Sequence, residues 1–478
     1  MNDALAIHIQ NQVLIRPGKL NEDLKYNNKT FRHRQDYYEI IRYVDDYLNG
    51  KTNNRYLVLP GIRGVGKSTI LYQIYEYLLK EKNISQTNII YITGDNLKRM
   101  SNSPIMDGIT TYLDIFHNAT IETVGEPVFL LIDEAQYDKD WSNTGKIIFD
   151  STKNIFMIFS GSSALELSYN ADSARRLLKI PVLPLNYSQH LKLKYDYFKN
   201  DISKSITDLI FEKKIPEDNL ESKILKIYSN LKDYDIKEWE NFIQYGGFPS
   251  SFNQKQHEIT KTVTDIIERV ITVDLENIKG INGQTEYLAF QLLYFFALQN
   301  PGEISKGSMA NHLDSNKMTI NKILELLEKT QLIFHVEPFT SSAKRTTKSH
   351  KYYFATSSLK HILSANLGNA NLEAKEAYMG KLLENFVASS FFNLKNRSDV
   401  MYNIYYDTNK KNVDFLIQKG LNTPIPIEVS FGKKDKSQIK TAMRKYKSDY
   451  GIIISNTTKN ILKEDNIIYL PPQTFSFM

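Results

Sequence analysis

From Arg55 to about Ser163, short apolar runs alternate with amphipathic stretches. "RYLVLPG", "NIIYITG", "VFLLIDE" and "NIFMIFSGSS" predict strands, and "KSTILYQIYEYLLKEK" and "PIMDGITTYLDIFHN" predict helices between them. The strands are apolar at successive positions, as in a parallel sheet buried on both faces. The expectation for 1–185 is therefore a doubly wound α/β domain. After "RLLKIPVLPLNYSQHL" the pattern changes to helices with long polar gaps, which predict a helical lid and linker over 186–284. Residues 285–365 read as a helix, a helix-turn-helix and two strands, and 370–478 as a smaller α/β unit. No internal repeat or low-complexity tail interrupts this order.

Length agrees with several domains, because 478 residues exceed the size at which one core keeps growing. The net charge of +6, from 60 Lys and Arg against 54 Asp and Glu, is too small to argue for nucleic acid by itself, so local clusters must carry that case. Without a cysteine the chain has no disulfide, Cys-zinc site or thiol nucleophile. It contains no 18-residue apolar run, and "MNDALAIHIQNQVLIRPGKL" lacks a signal-peptide pattern. These features predict a cytoplasmic protein without a membrane association.

The sharpest chemistry lies in "GIRGVGKST". Gly61, Gly66, Lys67 and Ser68 fit G-x-x-x-x-G-K-[ST] between a strand and a helix. Glycines let successive N–H groups of Gly61, Ile62, Arg63, Gly64, Val65, Gly66, Lys67, Ser68 and Thr69 face phosphate oxygens, and the helix N-terminus adds its dipole. Lys67 is expected to neutralise the β and γ phosphates of ATP, and Ser68 to ligate Mg²⁺. The apolar strand ending in Asp133 and Glu134 supplies the second half. There Asp133 is expected to hold Mg²⁺ through water and Glu134 to polarise the attacking water as a general base. Ser160, Ser162 or Ser163, at the end of the next strand, would sense the γ-phosphate or simply cap a turn.

On "GIRGVGKST", "LLIDEAQ", "FSGSS", "ARRLLKIPVLPLNYSQHL", "YGGFP", "ENFV", "VDFLI" and "PIPIEVS", the chain from about Asn27 resembles prokaryotic AAA-family P-loop ATPases. These carry a C-terminal domain of unknown function that resembles PD-(D/E)XK restriction endonucleases. The resemblance implies an α/β multidomain fold: an AAA+-like P-loop NTPase sheet, a helical lid, a winged helix and a restriction-endonuclease-like α/β domain. It also implies that Arg175 or Arg176 reaches a γ-phosphate, often that of a neighbouring subunit, which would make the protein a homo-oligomer. The alternative is a surface pair binding acidic neighbours. "YGGFP", Tyr245 to Pro249, is implied to be a packing turn.

In "EISKGSMANHLDSNKMTINKILELLEKTQLIFHVEPF", Ile320, Ile323, Leu324 and Leu327 fall at helical spacing and predict the buried face. Asn316, Lys317, Asn321 and Lys322 lie on the outward side. The following strands, joined by "TSSAKRTTKS", complete a winged-helix order in which Lys344, Arg345, Lys348 and Lys351 are wing candidates for DNA phosphates. Winged helices also serve as protein-packing modules.

For the C-terminal unit, the resemblance implies Glu384 on a helix and Asp414 and Glu428 on strands, the latter two as a vestigial metal pair. Ser430 stands where a working nuclease has a lysine, and Asn412 where another acid is common. Cleavage is therefore expected to be lost unless Lys433 or Lys434 substitutes. Lys433, Lys434, Lys436, Lys440, Arg444, Lys445 and Lys447 form a run that either tracks phosphates or is a solvated face. Three readings follow: a Mg²⁺-dependent ATPase acting on DNA or a DNA-associated partner, an ATP-gated nuclease acting against foreign DNA, and a nucleotide-dependent protein-binding switch.

Overall fold

The apolar runs before residue 184 pair into a single parallel sheet. In a computed structural model, the described residues are 3–27, 29–162, 173–197, 200–216, 219–231, 234–235, 237–274, 283–299, 305–345, 348–368, 375–397, 400–408, 413–432 and 436–478. Ser163, Asn412, Lys433 and Lys434 lie outside them. The chain divides into two units, Met1–Leu183 and Pro184–Met478.

In the first unit, β1 (Lys25–Tyr26) and β2 (Lys29–Thr30) form a short antiparallel ladder. The main sheet comprises β3 (Tyr56–Pro60), β4 (Ile89–Thr93), β5 (Val128–Asp133), β6 (Ile155–Gly161) and β7 (Leu178–Lys179), in the order β4-β5-β6-β3-β7. Every pairing is parallel, so Pro60, Thr93, Asp133 and Gly161 end at one edge. Buried residues run continuously along β3, β5 and β6, as the apolar pattern requires. Since β6 separates β3 from β5, the loop after β3 meets the acids of β5 across the end of β6.

The second unit holds a mixed eight-stranded sheet of β8 (Ile333–Pro338), β9 (Lys351–Phe354), β10 (Tyr402–Tyr406), β11 (Phe415–Lys419), β12 (Ile425–Ser430), β13 (Gly451–Ser455), β14 (Leu462–Glu464) and β15 (Ile467–Leu470). Its order is β14-β15-β13-β12-β11-β10-β8-β9. The β8–β9 hairpin and the C-terminal strands, read from sequence as parts of separate domains, are thus joined through the parallel pairing of Tyr405 with Glu337 and Tyr406 with Pro338. One core also unites Leu191, Ile206, Trp239 and Phe242, from helices expected to form a lid and linker, with Phe386, Phe415, Ile427 and Phe475. Ile320, Ile323, Leu324 and Leu327 are buried as their spacing predicts.

Glu238 ties the helices of this unit together. It accepts from His190 Nε2 at 2.6 Å, Lys194 Nζ at 2.8 and 2.9 Å, and the Tyr195 hydroxyl at 2.7 Å. Burial raises its pKa, but the bond and charge of His190 and the bonds of Lys194 and Tyr195 prevail and lower it to about 2, while burial holds the His190 imidazole below its ordinary value. A depressed carboxyl contributes stability that is present above its unfolded pKa and is lost as pH falls through the folded value. Glu238→Gln is expected to destabilise the folded chain at pH 7. The difference from wild type should shrink as pH falls from about 4.5 toward 2. Urea unfolding followed across that range checks this, and equal stability at pH 7 would contradict it.

Candidate nucleotide-binding site

The turn after β3 curls because its glycines adopt backbone angles closed to most residues. Gly64 and Gly66 have φ of 80° and 98°, and Gly66 is the N-cap of the helix Lys67–Lys80. Gly61 is required for a different reason, since a Cβ there would lie 2.3 Å from the Val182 carbonyl oxygen. Lys67 is buried, and its Nζ donates to the carbonyls of Gly61 at 2.8 Å and Ile62 at 3.1 Å. The ammonium is thereby held inside the curl formed by residues 61–66.

Asp133 gathers the rest of the site. Its Oδ2 accepts from Ser68 Oγ at 2.6 Å and from the Tyr91 hydroxyl at 2.9 Å. Its Oδ1 accepts from the Glu134 N–H at 3.0 Å and from Ser160 Oγ. Ser160 therefore orients Asp133 in this structure. Ser162 Oγ is buried with no hydrogen-bond partner among the described residues, leaving a hydroxyl at the same sheet edge for a further acceptor. The Ser68 hydroxyl and Asp133 carboxylate form a convergent oxygen pair, the donor chemistry that Mg²⁺ takes.

Glu134 has a left-handed backbone with φ of 50°, uncommon for a non-glycine residue. Its Oε2 accepts from Gln136 Nε2 at 2.5 Å and lies 3.7 Å from Arg63. Burial, reinforced by the neighbouring Asp133 charge, raises its pKa, while Lys67, Arg63 and the Gln136 bond work in the opposite direction. The result is a held carboxyl beside the phosphate loop with enhanced proton affinity.

Sequence reasoning did not single out Arg34. Its buried guanidinium bonds Asp36 Oδ2 at 2.9 Å, the Leu183 carbonyl at 2.8 Å and the Val65 carbonyl, fastening the phosphate loop to the segment before the helix Gln35–Leu48. A charged residue next to a strong amphipathic helix was the only available signal, and it resembles any surface arginine.

The candidate arginines lie elsewhere. The turn Ser173–Arg175 precedes β7, whose Leu178 pairs with Leu57 near the start of β3. About 13 Å of strand separates Leu57 from Gly61, so neither arginine reaches the phosphate loop of its own chain. Arg176 Nε bonds Asp150 Oδ1 at 2.6 Å, realising the surface-pair alternative for that residue, while Arg175 is exposed.

The candidates in the second unit have varied surroundings. Lys317, Lys322, Lys344 and Lys348 are exposed. Asn316 accepts the Thr319 N–H at 2.9 Å as a helix cap, and Asn321 bonds Lys306 and donates to Glu325 at 2.6 Å. The expected wing loop contains a short helix, Ser342–Arg345. Arg345 lies 4.5 Å over the Tyr405 ring and donates to its hydroxyl at 3.0 Å. Lys351 is buried rather than presented on a wing, because it occupies the β9 edge against the Tyr406 ring at 5.5 Å. In the C-terminal basic run, Lys436, Lys440 and Lys445 pair with Glu464, Asp465 and Asp407 at 2.7, 2.9 and 3.6 Å, which reduces its free positive charge. The turn around Gly246 and Gly247 accepts from Ser358 Oγ at 2.6 Å and the Leu185 N–H at 2.8 Å, as a packing turn does.

Asp414 directly precedes β11 and Glu428 lies in β12, each next to a member of the Phe415–Ile427 pair. Asp414 Oδ2 accepts the Val429 N–H at 2.7 Å, and Glu384 accepts the Tyr353 hydroxyl at 2.9 Å. Burial and then Asp414 raise the pKa of Glu384, with Lys351 acting against them. Ser430 donates to the Gly432 carbonyl at 3.3 Å. Among the described residues, no group of three or more His, Cys, Asp or Glu could hold a metal ion. No described helix is long and apolar enough to cross a membrane.

A family model described as an AAA domain matches residues 53–191, and models of domains of unknown function match 236–372 (DUF8612) and 379–475 (DUF4143). Over 478 aligned positions, the chain is 31% identical to the uncharacterized protein MJ1637 of Methanocaldococcus jannaschii, covering 99% of this chain and 93% of the relative. An uncharacterized Haemophilus influenzae protein is 23% identical over 79% of this chain and 83% of its own length. Among solved structures, the Aeropyrum pernix ORC1 protein in complex with DNA overlaps 76% of this chain and 98% of that one, at 10% identity and a TM-score of 0.30. The Thermotoga maritima RuvB Holliday junction branch migration motor overlaps 64% and 90%, at 12% identity and a TM-score of 0.24.

Proposed function

The chain belongs to the family of Methanocaldococcus jannaschii MJ1637, and with its AAA domain as the starting point we propose that it binds and hydrolyses Mg²⁺-ATP and couples that cycle to DNA or to a DNA-associated partner. The observation carrying the nucleotide reading is the convergence of Lys67, Ser68 and Asp133 at one sheet edge, with Ser68 Oγ 2.6 Å from Asp133 Oδ2. Ser68 and Asp133 would hold the Mg²⁺, which supplies charge neutralisation between phosphate oxygens. The N–H groups of residues 61–69 orient the phosphates, Lys67 offsets their charge, and Glu134 accepts a proton from water. Ser162 is a candidate contact for the γ-phosphate.

Support for DNA comes from the second unit. The helix Lys306–His312, the helix Lys317–Lys329 and the hairpin β8–β9 follow the order of a winged helix, with Lys317, Lys322, Lys344 and Lys348 exposed. Four such cations can meet phosphates and make binding salt-dependent. The C-terminal sheet serves here as a docking surface rather than a nuclease, since Ser430 offers no fixed positive charge beside Asp414 and Glu428.

Arg175 acts, in this reading, on nucleotide bound by a neighbouring copy, because its own loop is out of reach. The test is ATP turnover at low salt with and without duplex or single-stranded DNA, on wild type and Arg175→Ala. DNA is expected to stimulate wild type, and Arg175→Ala to lower turnover about 10³-fold while leaving ATP affinity unchanged. No stimulation by either DNA form defeats the DNA reading, and unchanged Arg175→Ala turnover defeats the finger.

A further inference from the structure

Asp133 Oδ2 is shared by two hydroxyls of different origin. Ser68 comes from the phosphate-loop helix, as expected of a Mg²⁺ site. Tyr91 comes from β4, the edge strand beside β5, and general phosphate-loop chemistry does not call for it.

Tyr91 is buried, with its hydroxyl 3.2 Å from that of Tyr72. Each phenol carries one proton. With Tyr91 donating to the Asp133 carboxylate, Tyr72 supplies the proton between the two tyrosines. Tyr72 lies four residues after Ser68, on the same helix face. The guanidinium of Arg16 lies 4.3 Å from the Tyr72 ring centre and 4.7 Å from that of Tyr91, while Nη2 pairs with Asp23 at 3.1 Å. A cation over two phenol faces fixes both rings and strengthens their hydroxyls as donors. The helix Arg16–Asp23 is thereby connected to Asp133 through two side-chain steps.

We propose that Arg16, Tyr72 and Tyr91 are positioning residues that fix Asp133 Oδ2 for the Mg²⁺ of bound nucleotide, making the helix Arg16–Asp23 part of the Mg²⁺-ATP site. This rests on the nucleotide reading above. Ser160 and the Glu134 N–H hold one carboxylate oxygen, and the tyrosine pair holds the other against rotation. Outer partners of this kind set metal affinity by fixing the ligand before the metal arrives. Arg16 acts through the rings.

Tyr91→Phe keeps the ring under Arg16 and deletes only the hydroxyl. A fluorescent ATP analogue, titrated with Mg²⁺ from an EDTA-treated start, reads binding independently of turnover. The Mg²⁺ concentration for half-maximal signal is expected to rise about 10- to 100-fold in Tyr91→Phe, with affinity in EDTA unchanged. Arg16→Gln should shift it in the same direction by less, and melting curves verify that both variants are folded. A folded Tyr91→Phe chain that titrates like wild type overturns the proposal, while wild type that binds no analogue overturns the nucleotide reading along with it.

Discussion

Lys67→Ala should lose ATP turnover by about 10²–10³-fold or more and bind nucleotide weakly, while keeping its melting temperature within a few degrees of wild type. The ammonium is a buried charge held by two loop carbonyls, at 2.8 and 3.1 Å. Bound triphosphate offers it oxygen partners of opposite charge, so exchange of the loop carbonyls for phosphate replaces neutral acceptors with anionic ones. Alanine cannot make that exchange, and nothing described nearby replaces it: Arg63 lies beside Glu134, and Arg34 is committed to Asp36 and backbone carbonyls. Fluorescent-nucleotide binding and phosphate release measured side by side check both halves. Wild-type turnover in Lys67→Ala would falsify the assignment of this loop as the ATP site.

Glu134→Gln should separate the two halves. Turnover is expected to fall about 10²–10⁴-fold, the usual contribution of a positioned base, whereas nucleotide affinity stays near that of wild type or rises. Glutamine preserves the shape and can still meet Gln136, but its amide takes no proton. The left-handed backbone at Glu134 aims the side chain from the end of β5, and the substitution leaves that geometry to the same chain segment. If partner or DNA binding depends on the ATP-bound state, the variant accumulates that state and binds longer. Single-turnover hydrolysis with bound-nucleotide stoichiometry distinguishes this from simple unfolding, and retained hydrolysis would remove Glu134 from the base role.

The first unit was legible because its signals are local and redundant. Four apolar runs yielded β3 to β6, and the G-x-x-x-x-G-K-S spacing located the loop, since its glycines meet steric demands visible in sequence. The small strand β7 was missed within "RLLKIPV", as two paired residues carry no period. The helix Trp141–Ser151 also went unassigned, although Trp141 and Ile148 are buried. Its "WSNTGK" start is polar and contains a glycine, so burial against Tyr56 decides its state more than propensity.

Site residues separate along the same line. Lys67, Ser68, Asp133 and Glu134 belong to short motifs that mark them in sequence. Arg34, Tyr91 and Arg16 belong to contacts between segments far apart in sequence, where a lone arginine or tyrosine carries no mark of its partner. The Arg345–Tyr405 and Lys436–Glu464 contacts were hidden for the same reason, and they change the meaning of clusters that looked purely basic.

Pairing β8 to β10 also determines where the chain can be cut. A break near residue 370 looks natural in sequence, but it would strip β8 of its neighbour and leave a bare strand edge flanked by the apolar faces of Phe334 and Val336. The paired helices and hairpin are therefore unsuited to life as a detached module: in this family a gain or loss of the C-terminal strands would have to be accompanied by a new cover for that edge.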